Sequence, residues 1–352
     1  MTPPTPDART LTALADAAEA ADADPSWPAA SWRLLREAGV LAWSVPPEFG
    51  GVGRSPVELL TGYETLAGAC LTTAFNLSQR EAAVRRLLAH GNPAQQRRWL
   101  PPLARGEILA TVGLSQLTTS RQHLAPSLLA TPLGPWRYRL DGVIPWVTAA
   151  DQADEIVIGA TLPDRRQLLA LLPGGADGVT VEPPLPLSAL AGSRTTEVRC
   201  AGVVVEGERI LAGPVEQVLS GGKGGVGGVE TSCLALGLAG AAVDFLAAEA
   251  ARRPDLTDTA ARFEAARRQR RRRLHALAEG GDAAAVVSLR VDCTLLALQA
   301  TQTALAVAKG TGFVRPHPVQ RRARQALFFL VWSCPRAALD ATLAYLAPPA
   351  AG

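Results

Sequence analysis

The 352-residue sequence is poor in aromatic residues, at 5%, and has only five cysteines and four histidines. The cysteines (Cys70, Cys200, Cys233, Cys293, Cys334) form no CxxC pair, and no Cys/His group has metal-site spacing. That scatter predicts reduced, mostly buried thiols in a cytoplasmic protein. The stretch from Met1 to Trp27 has no basic flank followed by an apolar core, so it does not read as a secretory leader. No uninterrupted apolar run reaches the roughly 18 residues of a bilayer span. Residues 229–250 come nearest, but Glu230, Thr231, Ser232 and Asp244 punctuate them, and they read as a buried helix. A net charge of +3 is too small to make nucleic acid or an acidic membrane the main partner. Alternating strand–helix units are missing, which argues against a doubly wound sheet.

What is present is apolar and rich in alanine. Hydrophobic residues make up 48% of the chain, enough for a large core, and the alanine favours packed helices over a β sandwich. The length implies two or three units. Residues 1–8 read as a mobile tail. Helical spacing starts near Leu11 and recurs at Trp32, Leu34, Leu35 and Ala38, with Gly39 closing that helix. The prolines and glycines of residues 44–53 demand a loop, and Ser55-Pro56 then opens a helix. Further helices are expected over 72–90 and from Asn92-Pro93 through Leu103. After Gly106, strands are expected at 108–114, 136–140, 155–161, 168–172, 179–182 and 197–205. A glycine-rich segment, Gly221 to Gly228, lacks the Walker spacing and reads as a flexible connector. Helices are then expected at 229–253, 258–279, 283–309 and 319–346. The fold class is α+β, with an N-terminal helical domain (1–107), a small central β domain (108–216) and a C-terminal helical bundle (217–352).

At this point the residues resemble the acyl-CoA dehydrogenase family over nearly the whole chain. Trp32-Arg33-Leu34-Leu35-Arg36-Glu37-Ala38-Gly39-Val40, then Val45-Pro46-Pro47-Glu48-Phe49-Gly50-Gly51, are similar to its first helices and Pro-Glu-x-x-Gly-Gly loop. Gly106-Glu107 resembles the entry to its β domain. Asp141-Gly142, Trp146-Val147-Thr148 and Ala153-Asp154 resemble its flavin-contacting segment, and Ser193 to Val198 the approach to its last β strand. Gly310-Thr311-Gly312-Phe313, with Pro318-Val319-Gln320-Arg321 and Arg324, resembles its C-terminal signatures. There are departures. Leu114 to Ser120 replaces the usual Thr-Glu and Gly-Ser-Asp elements, and Ile144-Pro145 stands where a lysine usually precedes the tryptophan. The arginine and glutamine that often bind the dinucleotide across a dimer are not clear after Arg253.

The resemblance implies an FAD-dependent oxidoreductase that removes hydrogen from the α and β carbons of an acyl thioester. Such a reaction needs a carboxylate base for the α proton. The usual place, Phe328 to Pro335, holds no carboxylate. Some relatives put the base in the first helix of the last domain, and Glu230, with Gly237 and Gly240 seven and ten residues on, resembles that arrangement. Glu230 is therefore the catalytic candidate; the alternative is an ordinary first-turn acid facing the helix dipole. For the flavin the candidates are Ser115, Trp146, Thr148, Arg321 and Arg324. Trp146 is read either as packing on the flavin ring or as β core, and Thr148 either as a flavin hydrogen-bond partner or as a plain strand threonine. Arg321 and Arg324, on one helix face, are read as contacts to a phosphate or a partner subunit, or as surface ion pairs.

The basic run Arg267 to Arg273 has no interleaved aromatic to stack bases and reads as a solvated helix face. Two other activities stay open: a flavin-dependent monooxygenase on the same fold, and a non-catalytic relative. The resemblance further implies an acyl-CoA-type substrate, an electron-transfer flavoprotein or flavin reductase as partner, and a homodimer or homotetramer. Neither nucleic acid nor membrane is expected as a partner.

Overall fold

A computed structural model describes residues 5–118, 125–219, 228–278 and 280–348. The first four residues of the expected tail, and the expected connector at 221–227, lie outside them.

The N-terminal unit is six helices: α1 (Ala8–Asp16), α2 (Ala18–Ala23), α3 (Ala29–Glu37), α4 (Pro56–Ala69), α5 (Leu71–His90) and α6 (Pro93–Arg105). Local chemistry sets their ends. Gly39 takes φ +69° just past α3, a left-handed turn that suits glycine. Ser55 and Glu58 form a reciprocal capping box at the start of α4, and Asn92 and Gln95 form another at α6. In the loop between α3 and α4, a Cβ on Gly51 would sit 1.9 Å from the carbonyl oxygen of Val45, so only glycine lets the chain double back there.

The middle unit is an eight-stranded sheet of β1 (Ala110–Gly113), β2 (Leu128–Gly134), β3 (Arg137–Val147), β4 (Glu155–Thr161), β5 (Gln167–Pro173), β6 (Val179–Val181), β7 (Thr196–Glu206) and β8 (Ile210–Val215). Its order is β6-β7-β3-β2-β4-β5-β8, and β1 pairs parallel to β4. Strands β2 and β8 were not among the expected ones. Each contains proline and glycine, which read as breakers. The structure accommodates them at a register shift beside Pro132 in β2 and, for Gly213-Pro214, at the sheet edge. The uninterrupted apolar run of β5 is explained by burial on both faces. Leu168, Ala170 and Leu172 join the sheet's own core, while Leu169 and Leu171 meet Val84, Leu87 and Leu103 of α5 and α6. Gln95 of α6 also donates to the carbonyls of Glu208 and Ile210 at 2.7 and 2.8 Å, tying the two units together.

The C-terminal unit comprises α7 (Val229–Ala250), α8 (Thr257–Ala276), α9 (Ala283–Gly312), α10 (Pro318–Phe328) and α11 (Arg336–Leu346). The single helix expected over 319–346 is two helices. Pro335 cannot continue a helix, and Ser333 before it adopts φ +45°. Helices α7 and α9 are each long and apolar enough to cross a membrane. Here α7 is a core helix, with Leu234, Leu236, Leu238 and Val243 buried against α4 and α9. Its backbone touches that of α4: a Cβ on Gly237 would lie 2.3 Å from the carbonyl oxygen of Glu64.

The basic run is a solvated face only in part, at the exposed Arg268, Gln269 and Arg272. In α8, Arg271 pairs with Glu64 of α4, Arg267 with Asp244 of α7, and Arg273 with Asp292 of α9, so these arginines stitch the bundle internally.

Candidate active site

A cavity of about 540 Å³ opens where the three units meet. Its size lies within the usual range for small-molecule sites. One wall is the face of α5 that carries Phe75, Ser78, Ala82, Arg85 and Arg86. The sheet and the turns beside it contribute Val112, Ser115, Trp146 and Thr148, the first turn of α7 contributes Glu230, the end of α10 supplies Phe328, and the α10–α11 connector supplies Trp332 and Ser333.

Five of the six site residues expected from sequence line this one cavity: Ser115, Trp146, Thr148, Glu230 and Arg324. Trp146 is not core. The pairing of β3 with β7 shifts between Ile144 and Val147, and at that bulge Trp146 takes φ +60° and leaves 52% of its surface exposed in the cavity wall. Thr148 is buried, and its hydroxyl continues a chain through Thr195 (3.1 Å) to Ser193 (2.9 Å from Thr195). The Ser115 hydroxyl donates to the carbonyl of Pro145 at 2.8 Å, so it faces the cavity as an acceptor.

Glu230 is the only carboxylate lining the cavity among the described residues. It lies 3.4 Å from the guanidinium of Arg85, with both side chains about a third exposed (28% and 32%). The buried Arg86 beside them has its pKa lowered, first by desolvation and then by Arg85, while Glu230 pulls it back.

Arg321 is not part of the lining. It is buried, and its guanidinium pairs with Glu19 of α2 at 3.1 Å. Arg324 reaches the cavity, pairs with the buried Asp22 of α2 at 2.9 Å and donates to the carbonyl of Ser188. The i,i+3 arginines of α10 thus meet i,i+3 acids of α2, and the ion-pair reading holds for both, inside the protein rather than on its surface. His317 caps α10 through Nδ1 and lies edge-on to Phe245, away from the cavity.

Sequence reasoning did not single out Phe75, Arg85, Arg86 or Trp332. The α5 residues recur at helical spacing, a signal present in the chain, but nothing local says which face of α5 meets the sheet. Phe328 and Trp332 stack at 5.3 Å, and Phe75 meets both edge-on at 4.9 Å. Phe328 is therefore cavity wall.

A helical unit, a sheet and a second helical unit, with one cavity lined by all three, define the class of protein. The sequence model of the acyl-CoA dehydrogenase N-terminal domain matches residues 9–107. A probable acyl-CoA dehydrogenase of Bacillus subtilis is 25% identical over 264 residues, covering 72% of this chain and 68% of that protein. A match to the human mitochondrial very long-chain specific acyl-CoA dehydrogenase, 27% identical, covers 51% of this chain and 29% of that protein, so the chain spans less than a third of that relative. Among solved structures, butyryl-CoA dehydrogenase of Megasphaera elsdenii superposes with a TM-score of 0.84 at 18% identity, over 96% of both chains. FMN-bound dibenzothiophene monooxygenase of Paenibacillus does so with a TM-score of 0.73 at 19% identity, over 91% of both. Residues 9–107 thus match the N-terminal domain of the acyl-CoA dehydrogenases, and the chain as a whole shares the fold of butyryl-CoA dehydrogenase.

Proposed function

We propose that this chain is an FAD-dependent oxidoreductase that α,β-dehydrogenates an acyl thioester of the acyl-CoA type. The observation that carries the reading is the convergence of Glu230 with Trp146, Thr148 and Ser115 on one cavity. The lining fits a flavin in kind: an exposed indole face, hydroxyl groups and apolar side chains from two strands. Trp146 would pack on the ring, and Thr148 and Ser115 would meet its polar edge. Bound FAD supplies a hydride acceptor for the substrate's β carbon. Glu230 accepts the α proton, which requires it to exchange its partner Arg85 for the substrate. The aromatic wall of Phe75, Phe328 and Trp332 excludes water from the acyl group.

The cavity's one carboxylate motivates the test. Glu230→Gln is expected to lower turnover by about 10²- to 10⁴-fold while the flavin absorbance spectrum of the loaded protein stays intact. Turnover unchanged in that variant assigns the base elsewhere, and a chain that takes up no FAD in excess sinks the enzyme reading and favours a non-catalytic relative. A monooxygenase reading draws on two features: no carboxylate occupies residues 328–335, and Glu230 is held by Arg85. Oxygen-dependent product formation with a flavin reductase would select it. We further propose an electron-transfer flavoprotein as acceptor, a cytoplasmic location, in keeping with five unpaired cysteines, and a homo-oligomer. The exposed stripe Leu339, Leu343 and Leu346 of α11 offers an apolar face for the last of these.

A further inference from the structure

A second cavity, of about 400 Å³, opens further along α7 and shares no residue with the first. Its floor is the close crossing of α4 and α7, lined by Gly68, Ala69, Gly237 and Gly240. Around that floor stand Arg267 and Arg271 of α8 and Arg322 of α10, against two carboxylates, Glu64 and Asp244. Counting the rim pair Glu264 and Arg268 as well, the cavity keeps one positive charge in excess.

The existing pairs show which cation is in excess. Glu64 is taken by Arg271, which donates to it from Nε at 3.0 Å and from Nη2 at 2.5 Å. Asp244 accepts from Nη1 of Arg267 at 2.7 Å, and Glu264 lies 3.6 Å from the same nitrogen. Arg267 lies across Gly240, where a Cβ would stand 3.1 Å from its guanidinium, and its Nε is buried without a hydrogen-bond partner. Arg322 makes no hydrogen bond or ion pair among the described residues. Burial, and then repulsion by Arg321, lower its pKa to about 10, with Asp244 pulling the other way. Arg322 is half-buried and has no counter-ion of its own, and a bound anion would supply one.

We propose that this cavity is an anion site that takes a phosphoryl group, held by Arg322 and the unpaired Nε of Arg267. Guanidinium groups arriving from two helices suit a tetrahedral oxyanion, which accepts hydrogen bonds in more than one plane. The small side chains of the floor leave room for the rest of a phosphorylated small molecule. The site is independent of the flavin assignment.

The test is calorimetric titration of the full chain at fixed ionic strength, with inorganic phosphate and separately with ADP. One saturable site per chain is expected, weakened at least tenfold by Arg322→Gln and unchanged by Arg98→Gln, an arginine on α6 remote from the cavity with 53% of its side chain exposed. Tighter binding of ADP than of phosphate identifies a nucleotide as the source of the group, and equal binding identifies the free ion. Binding that survives Arg322→Gln, or no saturable heat with either ligand, overturns the proposal. Circular dichroism checks that the variant is folded. If it is not, Arg267→Lys, which keeps the charge and loses Nε, takes its place with the same weakening expected.

Discussion

Trp146 sits at φ +60°, a conformation that bulky residues rarely adopt. The bulge in β3 imposes it and turns the indole out of the sheet into the cavity. Other side chains are also set against their usual preference by their surroundings. His90 ends α5, where a positive charge is favoured by the helix dipole. Burial and then the charge of Arg86 outweigh that, and its pKa is lowered from 6.5; its Nε2 is buried without a hydrogen-bond partner among the described residues. The unfolded chain then holds the proton more readily than the folded one, so stability rises with pH up to 6.5 and is reduced below it. His90→Gln is expected to flatten the acid side of the stability curve and to change little at alkaline pH. Urea midpoints at pH 5 and pH 8 measure this, and an unchanged acid slope would assign that slope to other groups.

At the scale of elements, the end of α10 and its connector to α11 supply two of the three wall aromatics, Phe328 and Trp332, and one residue of another helix holds that connector. Arg290 of α9 is fully buried, with no carboxylate beside it among the described residues. It donates to the carbonyls of Phe329 (2.9 Å) and Trp332 (2.8 Å), just past the C-terminus of α10, and lies 5.7 Å from the ring centre of Phe329. A cation placed at exposed helix carbonyls satisfies them and meets the negative end of the dipole. Burial lowers its pKa to about 10. Arg290→Met leaves these carbonyls buried and unpaired, at a cost of roughly 1–3 kcal/mol. A lower urea midpoint at constant slope, with a weaker near-ultraviolet signal from Trp332, is the expected outcome. Full stability in that variant would mean that water or backbone movement satisfies the carbonyls.

At the scale of the molecule, the candidate active site belongs to no single unit. Its walls come from α5, the sheet, α7 and the α10–α11 connector, so a ligand there bridges all three. FAD binding is therefore expected to raise the melting temperature of the whole chain in proportion to the logarithm of free FAD, with about 2.7 kcal/mol of stabilisation at a hundredfold excess over Kd. Scanning calorimetry with and without FAD measures it, and a melting temperature indifferent to FAD contradicts the flavin assignment.

The sequence alone determined what is local. Caps at Ser55 and Asn92, the turn at Gly39, the β-branched and apolar run of β4 and the order of helical and β segments each depend on residues within a few positions of one another. Five residues that line one cavity could also be named, because family motifs attach them to particular turns and strand ends. Tertiary structure decided what depends on partners distant in the chain. Arg321 answers to Glu19, and Arg271, Arg267 and Arg273 of α8 answer to Glu64, Asp244 and Asp292, so part of a surface reading gave way to ion pairs between helices. The proline-bearing strands β2 and β8 exist because neighbouring strands pair with them despite weak local propensity. Which face of α5 meets the sheet, and hence that Arg85 lies beside Glu230, is fixed by packing between units, since charge and burial act through space and leave no mark at a fixed spacing along the chain.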